Sequence, residues 1–148
     1  MIYLASDHAG FELKEKIEEF LKGKKFDVED LGPNSLDPSD DYPDTVYPVA
    51  KKVSENQDSK GIIFGKSGQG EAVVANKVKG VRAVVFYGNN EEIIKLSREH
   101  NDANILSIGA GFVNENEAKK AVEEWLNTEF TNEERHTRRI EKIKKLEE

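Results

Sequence analysis

The 148-residue sequence contains no cysteine, and this absence excludes disulfide bonds, thiolate metal sites and a cysteine nucleophile. It also lacks an extended run of Lys and Arg, and its net charge is −7. Nucleic acid is therefore not an expected partner, because little is present to neutralise a phosphate backbone. No apolar run approaches the length of a membrane span, and the first residues do not resemble a signal peptide. We expect a cytoplasmic protein with no membrane partner.

What the sequence does contain is a regular alternation of strand-like and helix-like segments. Five short runs resemble strands, and they cover residues 2–6, 25–31, 61–64, 81–87 and 104–108. Helical patterns lie between and after them, over residues 11–21, 43–55, 71–77, 91–100, 114–126 and 133–148. Asn114 and Glu117 have the spacing of a capping box. The alternation predicts one α/β domain over residues 1–148, with a parallel sheet covered by helices on both faces.

The most informative loop reads Gly-Lys-Ser-Gly-Gln-Gly-Glu over residues 65–71, after the third strand and at the start of a helix. Backbone N–H groups of such a turn favour an anion, and Glu71 places a carboxylate where these donors converge. The loop is not a Walker A motif, because Lys60 stands where that motif needs a glycine. The simpler alternative is a tight turn that needs glycine for positive φ angles.

Ligands of parallel α/β sheets bind at the carboxyl ends of the strands, where the loops 6–8, 65–71 and 109–111 are expected to meet. Asp7 and His8 follow the first strand, although Asp7 could instead cap the next helix. Tyr42 precedes a proline suited to a helix start and could wall a pocket. Asp7, His8 and Tyr42 are therefore candidates for ligand contact.

Two more candidates lie later in the chain. His100 and Asn101 end a predicted helix, where a C-terminal cap is the alternative role. Arg135 and Arg139 share one helical face and could grip a phosphate together, or pair with neighbouring glutamates. The three histidines of the chain lack metal-ligand spacing, so we expect no metal and no other cofactor.

Together these segments resemble the ribose-5-phosphate isomerase B family, which includes the galactose-6-phosphate isomerase subunits. The matching segments cover nearly the whole chain: residues 6–14 (SDHAGFELK), 41–43 (DYP), 75–77 (ANK), 98–104 (REHNDAN) and 135–139 (RHTRR). The resemblance implies a Rossmann-like three-layer sandwich with a five-stranded parallel sheet and a C-terminal helical tail. It also implies a homodimer or a tetramer of dimers with the active site at the subunit interface, where the tail of residues 131–148 would pack.

The resemblance implies an aldose–ketose isomerase that interconverts ribose 5-phosphate and ribulose 5-phosphate through an enediolate. Many family members use a cysteine base at the position of Gly65, whereas Ser67-Gly68-Gln69-Gly70-Glu71 resembles a branch in which the glutamate is the base. His100 would transfer the proton that opens the sugar ring, with Asp7 as the second candidate. Ser67 would position the base or hydrogen-bond the substrate. The other implied substrate contacts are His8, Arg135 and Arg139 for the phosphate, Tyr42 and Asn101 for the sugar, and the backbone of Gly68, Gln69 and Gly70 for the enediolate oxygen.

The chain departs from the family pattern at two positions. Gly111 stands where the family commonly has an arginine that helps to hold phosphate, and Lys66 stands where glycine is usual. Our hypothesis is that Lys66 supplies the missing cation, with a solvated loop lysine as the alternative. These departures leave open a different substrate, such as galactose 6-phosphate, allose 6-phosphate or a four-carbon sugar phosphate. They also leave open a non-catalytic sugar-phosphate binding protein.

Overall fold

The computed structural model describes residues 1–148 as a five-stranded parallel sheet flanked by six helices. The strands are β1 (Ile2–Ser6), β2 (Val28–Asp30), β3 (Lys60–Gly65), β4 (Ala83–Phe86) and β5 (Ile105–Gly109). The helices are α1 (Phe11–Gly23), α2 (Tyr42–Glu55), α3 (Gln69–Ala75), α4 (Glu92–Glu99), α5 (Glu115–Asn127) and α6 (Glu134–Leu146). The strand order is β2-β1-β3-β5-β4, and every neighbouring pair is parallel. The predicted α/β fold with a parallel sheet is confirmed.

Most predicted elements differ from the structure by one to three residues at their ends, and two of these differences have a clear local cause. The second strand is only three residues long, and it starts after Lys25, whose φ of 66° cannot belong to a strand. Helix α3 begins at Gln69, two residues before the predicted start, because Gly68 reverses the chain with a φ of 80°. The predicted capping box is present in α5: Asn114 accepts from the Glu117 N–H at 2.8 Å, and Glu117 accepts from the Asn114 N–H at 3.1 Å.

Alternate residues of the central strands build a separate core on each face of the sheet. On one face, Leu4 and Ile62 pack with side chains of α1, α4 and α5, including the fully buried Trp125. On the other face, Tyr3 and Ile63 pack with side chains of α2 and α3. This division follows from the two-residue period of a strand and produces three layers. None of the helices is both long and apolar enough to cross a membrane.

The last helix is only partly covered by the rest of the chain. Ile140 is buried, but Ile143 is 43% exposed and Leu146 is 86% exposed. Glu147, directly after the helix, accepts a hydrogen bond from the Gly80 N–H at 2.7 Å, which attaches the C-terminal end of the helix to the rest of the chain. The predicted packing of this tail at a subunit interface stays a prediction, and so does the single domain.

The topology places the loops at the two opposite ends of the strands. The end at which the strands finish is the carboxyl edge of the sheet, and the end at which they begin is the amino edge. Ser6 pairs with Phe64 and Gly65 pairs with Gly109, so the loops after β1, β3 and β5 lie side by side at the carboxyl edge. Helix α4 instead runs back across the sheet and ends at the amino edge, near the start of β4. There the Asn101 carbonyl accepts a hydrogen bond from Arg82 Nε at 3.0 Å. A strand of this length separates the two edges by roughly 15–20 Å.

Candidate active site

The Gly65–Glu71 loop is held firmly against the loop that follows β5. The Ala110 N–H donates to the Gly65 carbonyl at 2.7 Å, and the Gly111 N–H donates to the Lys66 carbonyl at 2.9 Å. The fully buried Ser107 hydroxyl donates to the Gly68 carbonyl at 2.5 Å. The carbonyls of the loop are thereby turned toward the protein, which leaves its N–H groups free to face a ligand.

Four N–H groups of this loop have no acceptor in the chain. Those of Lys66, Ser67, Gly68 and Gly70 donate no hydrogen bond, whereas the Gln69 N–H faces the Ser67 hydroxyl at 3.3 Å. Ser67 is half-buried and Gln69 is exposed. Consecutive free donors on a glycine-rich turn form a concave site for a negatively charged oxygen. The predicted cluster of donors beside Glu71 is therefore present.

Glu71 is buried, with only 4% of its surface exposed, and its carboxylate lies directly against Gly65. A Cβ atom at position 65 would overlap this carboxylate, so Glu71 occupies space that any side chain at Gly65 would need. Burial raises the pKa of Glu71, while its own N–H opposes the rise by hydrogen bonding and the nearby Asp7 carboxylate adds to it. Burial therefore outweighs the stabilisation that the helix start gives to the ionised form.

Asp7 is the second buried carboxylate of the site and is 8% exposed. Its Oδ1 accepts from the Gly10 N–H at 3.0 Å, so it does make the local contact expected of a helix-start residue. The β1–α1 loop also packs closely against β3, since a Cβ atom at Gly10 would come within 2.5 Å of Phe64. This close approach brings Asp7 beside Glu71.

Two side chains predicted to contact substrate lie around the loop. The Tyr42 ring covers Gly70, where a Cβ atom would come within 2.6 Å of the ring. The Lys66 stem crosses Gly111, where a Cβ atom would come within 3.0 Å of Lys66 Cγ. Lys66 is exposed, and its stem occupies the room that a side chain at position 111 would need.

His8 has a partner that the sequence did not reveal. One carboxylate oxygen of Asp40 contacts both the His8 ring at Nδ1, at 2.8 Å, and the His8 N–H, at 3.2 Å. The side chain of Asp40 is 11% exposed, and its second oxygen is buried without a partner. The hydrogen bond to Asp40 raises the pKa of His8, which favours the protonated ring. No local pattern could identify Asp40, because it lies 32 residues from His8 in a polar loop.

The remaining predicted residues form a second group at the amino edge. His100 caps the C-terminal end of α4, and its ring stacks on His136 of α6 with ring centroids 4.2 Å apart. Arg135 is exposed and lies 3.5 Å from Glu133, and Arg139 is exposed and forms no ion pair. Asn101 is also exposed at this edge. No group of three or more His, Asp or Glu side chains is arranged to hold a metal ion.

The structure therefore divides the predicted site residues into two groups within one chain. The carboxyl-edge group contains Asp7, His8, Tyr42, Lys66, Ser67, Gly68, Gln69, Gly70 and Glu71, and the amino-edge group contains His100, Asn101, Arg135 and Arg139. The division follows from α4, which joins two parallel strands and must run antiparallel to them. Its C-terminal residues consequently cannot lie near Glu71 of the same chain.

The sequence matches the family model described as Ribose/Galactose Isomerase over residues 2–143. The chain belongs to this family. A probable ribose-5-phosphate isomerase B of Mycoplasma genitalium is 45% identical over 147 residues, covering 99% of this chain and 95% of the relative. The predicted family and the prediction of an isomerase are thereby confirmed.

Solved structures of this family have the same fold. The ribose-5-phosphate isomerase B of Mycoplasma genitalium, crystallised with bound ribulose-5-phosphate, superposes with a TM-score of 0.94 at 45% identity, covering 99% of this chain and 95% of that one. The corresponding enzyme of Clostridium thermocellum gives a TM-score of 0.92 at 41% identity, covering 99% and 96% of the two chains. The Rossmann-like architecture predicted from the family resemblance is confirmed.

Proposed function

We propose that this chain interconverts ribose 5-phosphate and ribulose 5-phosphate, and that Glu71 is the base. The observation that carries the proposal is a buried carboxylate with a raised pKa beside the free N–H groups of Ser67, Gly68 and Gly70. The similarity to a ribose-5-phosphate isomerase B with bound ribulose-5-phosphate supports the substrate. A buried charge beside a bound anion would weaken binding, so its presence favours catalysis over simple ligand binding.

In the proposed reaction, the Glu71 carboxylate removes the proton from C2 of the open-chain aldose. The electron pair of the broken C–H bond forms the C1–C2 double bond, and the C1 carbonyl oxygen becomes an enediolate oxygen. The free N–H groups donate to this oxygen as its charge develops. Glu71 then returns the proton to C1, while the proton of the C2 hydroxyl moves to O1 and leaves a carbonyl at C2. No atom or electron is gained or lost.

The raised pKa of Glu71 suits this role. A base is most effective when its pKa lies near the working pH, because a strongly acidic carboxyl is ionised but accepts a proton poorly. Glu71 acts in its ionised form, so turnover should fall as the pH decreases through its pKa in the enzyme. Ser67 is placed to orient the loop through its contact with the Gln69 N–H.

A complete site in this proposal needs two copies of the chain. The two edges of the sheet are roughly 15–20 Å apart, which is more than a five-carbon sugar phosphate can span. A second copy can bring the amino-edge group of one chain to the carboxyl edge of the other. Apolar side chains support such contact, since Val73 is 60% exposed, Tyr87 is 49% exposed and Phe112 is 61% exposed.

The composite site assigns the remaining roles. His8, held by Asp40, binds the phosphate together with Arg135 and Arg139 of the partner subunit. His100 of the partner subunit transfers the proton that opens the sugar ring, with Asp7 as the alternative group. Tyr42 and Asn101 of the partner subunit line the sugar, and Lys66 adds positive charge where Gly111 provides none.

Glu71→Gln tests the proposal, with Glu19→Gln as a matched control because Glu19 is exposed and forms no ion pair. A general base typically contributes about 10²–10⁴-fold to the rate, so we expect kcat to fall by that factor while binding is largely kept. The loss should appear equally in the exchange of the C2 hydrogen with solvent deuterium. A Glu71→Gln enzyme that keeps more than about a tenth of its kcat would rule out this base.

A panel of sugar phosphates tests the substrate separately. Ribose 5-phosphate should give a higher kcat/KM than galactose 6-phosphate, allose 6-phosphate or a four-carbon sugar phosphate. Preference for a six-carbon sugar would keep the mechanism and change the substrate. Binding of all of them without turnover by the unmodified chain would indicate a binding protein.

A further inference from the structure

His136 is a buried histidine to which the proposed reaction gives no role. It lies on α6 and is only 3% exposed. Its ring faces that of His100 with the centroids 4.2 Å apart and the planes inclined by 18°, which is a stacked arrangement. Two aromatic rings from separate helices are thus in face-to-face contact at the edge that carries the proposed ring-opening group.

The surroundings of His136 keep its ring uncharged. Burial lowers the pKa of His136, the neighbouring His100, Arg135 and Arg139 lower it further, and only Glu133 opposes them. The His136 Nε2 atom lies 3.1 Å from a Glu133 carboxylate oxygen but is out of line for a hydrogen bond. These are the charged and titratable groups that act on it from α6, from the segment before it and from α4. The uncharged form of the His136 ring is consequently favoured.

We propose that His136 is a positioning residue: its buried ring, stacked on the His100 imidazole, fixes the plane of that imidazole for the proton transfer that opens the sugar ring. This inference rests on the proposed role of His100 in ring opening. It adds to that role a residue that never touches the substrate and acts only through its neighbour.

The physical basis is the short separation of the two rings. With the centroids 4.2 Å apart and the planes inclined by 18°, the His136 ring limits how far the His100 imidazole can rotate. His136 is buried and His100 is only partly buried, so the His136 ring is held in place while the His100 ring can face a ligand. Ring opening needs a proton at one defined atom, and a flexible imidazole would supply it less often.

The rival interpretation is that His136 only anchors α6 to the body of the protein. An anchor would also hold Arg135 and Arg139, so its loss would weaken phosphate binding and raise KM. A positioning residue instead affects the proton transfer, so its loss lowers kcat with little change in KM. The two interpretations therefore predict different kinetic parameters.

The test compares His136→Phe, which keeps a neutral stacked ring, with His136→Ala, which removes it. Thr137→Ala is the matched control, because Thr137 is the next residue of α6, is exposed and makes no side-chain hydrogen bond. We expect His136→Ala to lower kcat on ribose 5-phosphate by about 10-fold, part of the usual effect of an acid–base group. KM should stay within about twofold, and His136→Phe should recover most of kcat. Equal loss in both variants, or a loss confined to KM, would overturn the proposal.

A second measurement needs no turnover, so it separates this inference from the proposed function. The chain has only three histidines, and the ring C–H resonances of all three can be followed by NMR from pH 5 to 9. The His100 ring resonance should shift in His136→Ala, where the stacked ring is lost, and should retain a stacked-ring shift in His136→Phe. If the His100 ring resonance is the same in His136→Ala as in the unmodified protein, or if His136→Phe does not retain the stacked-ring shift, the inference is wrong.

Discussion

Gly65→Ala should inactivate the enzyme while leaving it folded, because the Glu71 carboxylate lies where the new methyl group would be. The backbone at Gly65 does not have a positive φ, so alanine can adopt its conformation. The Glu71 carboxylate is the far end of a flexible side chain and can turn away. A displacement of about 1 Å from the reacting atoms lowers a rate by about 10²-fold, and we expect a loss of at least this size in kcat.

The effect on stability should be small, because two terms of similar size oppose each other. Forcing Glu71 away from its preferred rotamer costs about 0.5–1.5 kcal/mol. Replacing glycine by alanine at a compatible position contributes about 0.4–1 kcal/mol through the unfolded state. The free energy of unfolding should therefore change by less than about 1 kcal/mol, which corresponds to a shift in Tm of roughly 2–4 °C at most.

Gly23→Ala is the matched control, since no atom lies within 4 Å of its Cβ position. It should leave kcat unchanged and stabilise the fold by about 0.5–1 kcal/mol. The assay is steady-state isomerisation together with thermal unfolding of both variants. Adding Gly65→Ala to Glu71→Gln should cause no further loss, because both changes act on one carboxylate. A Gly65→Ala enzyme with kcat within about threefold of the unmodified chain would refute the placement of the base.

Three further predictions concern the rest of the site. Asp40→Asn should remove the contact that raises the pKa of His8, so His8 should lose its proton at a lower pH and KM should begin to rise at a lower pH than in the unmodified enzyme. An unchanged pH profile of KM would contradict this. Lys66→Ala should raise KM several-fold with kcat unchanged, and an unchanged KM would exclude Lys66 as a substrate contact. Glu71→Gln and His100→Ala chains, each inactive alone, should regain about a quarter of full activity when they are unfolded and refolded together. Half of the dimers formed are then mixed, and each mixed dimer has one intact site out of two. No recovery would contradict a site shared between two copies of the chain.

The local parts of the site were predictable from sequence, because they depend on neighbouring residues. The strand, the glycine turn and Glu71 follow one another within residues 60–71, and a strand-to-helix turn needs no long-range information. The capping box of α5 is equally local. The same holds for the expectation that three loops meet at the carboxyl edge, since parallel strands leave no other arrangement.

Contacts between distant segments were not predictable from one sequence. The Asp40–His8 contact joins residues 32 positions apart, and neither residue carries a pattern that requires the other. The packing of Glu71 against Gly65 depends on how α3 tilts after the turn. The position of His100 was accessible in principle, because a helix between two parallel strands must return to the amino edge. Its separation from Glu71 could therefore have been inferred from the strand and helix order alone.

The contact between Gly65 and Glu71 also bears on the family resemblance, which implies a cysteine base at the position of Gly65 in many members, whereas this chain has no cysteine. A side chain at 65 would project into the volume that the Glu71 carboxylate now fills. Under the proposed assignment, both positions would place a reactive group in the same volume, one from the end of β3 and the other from the first turn of α3. The two side chains cannot occupy that volume together, so the proposed base at 71 requires glycine at 65. On this argument Gly65 is as necessary to the proposed reaction as Glu71, although it has no side chain that could take part in the chemistry.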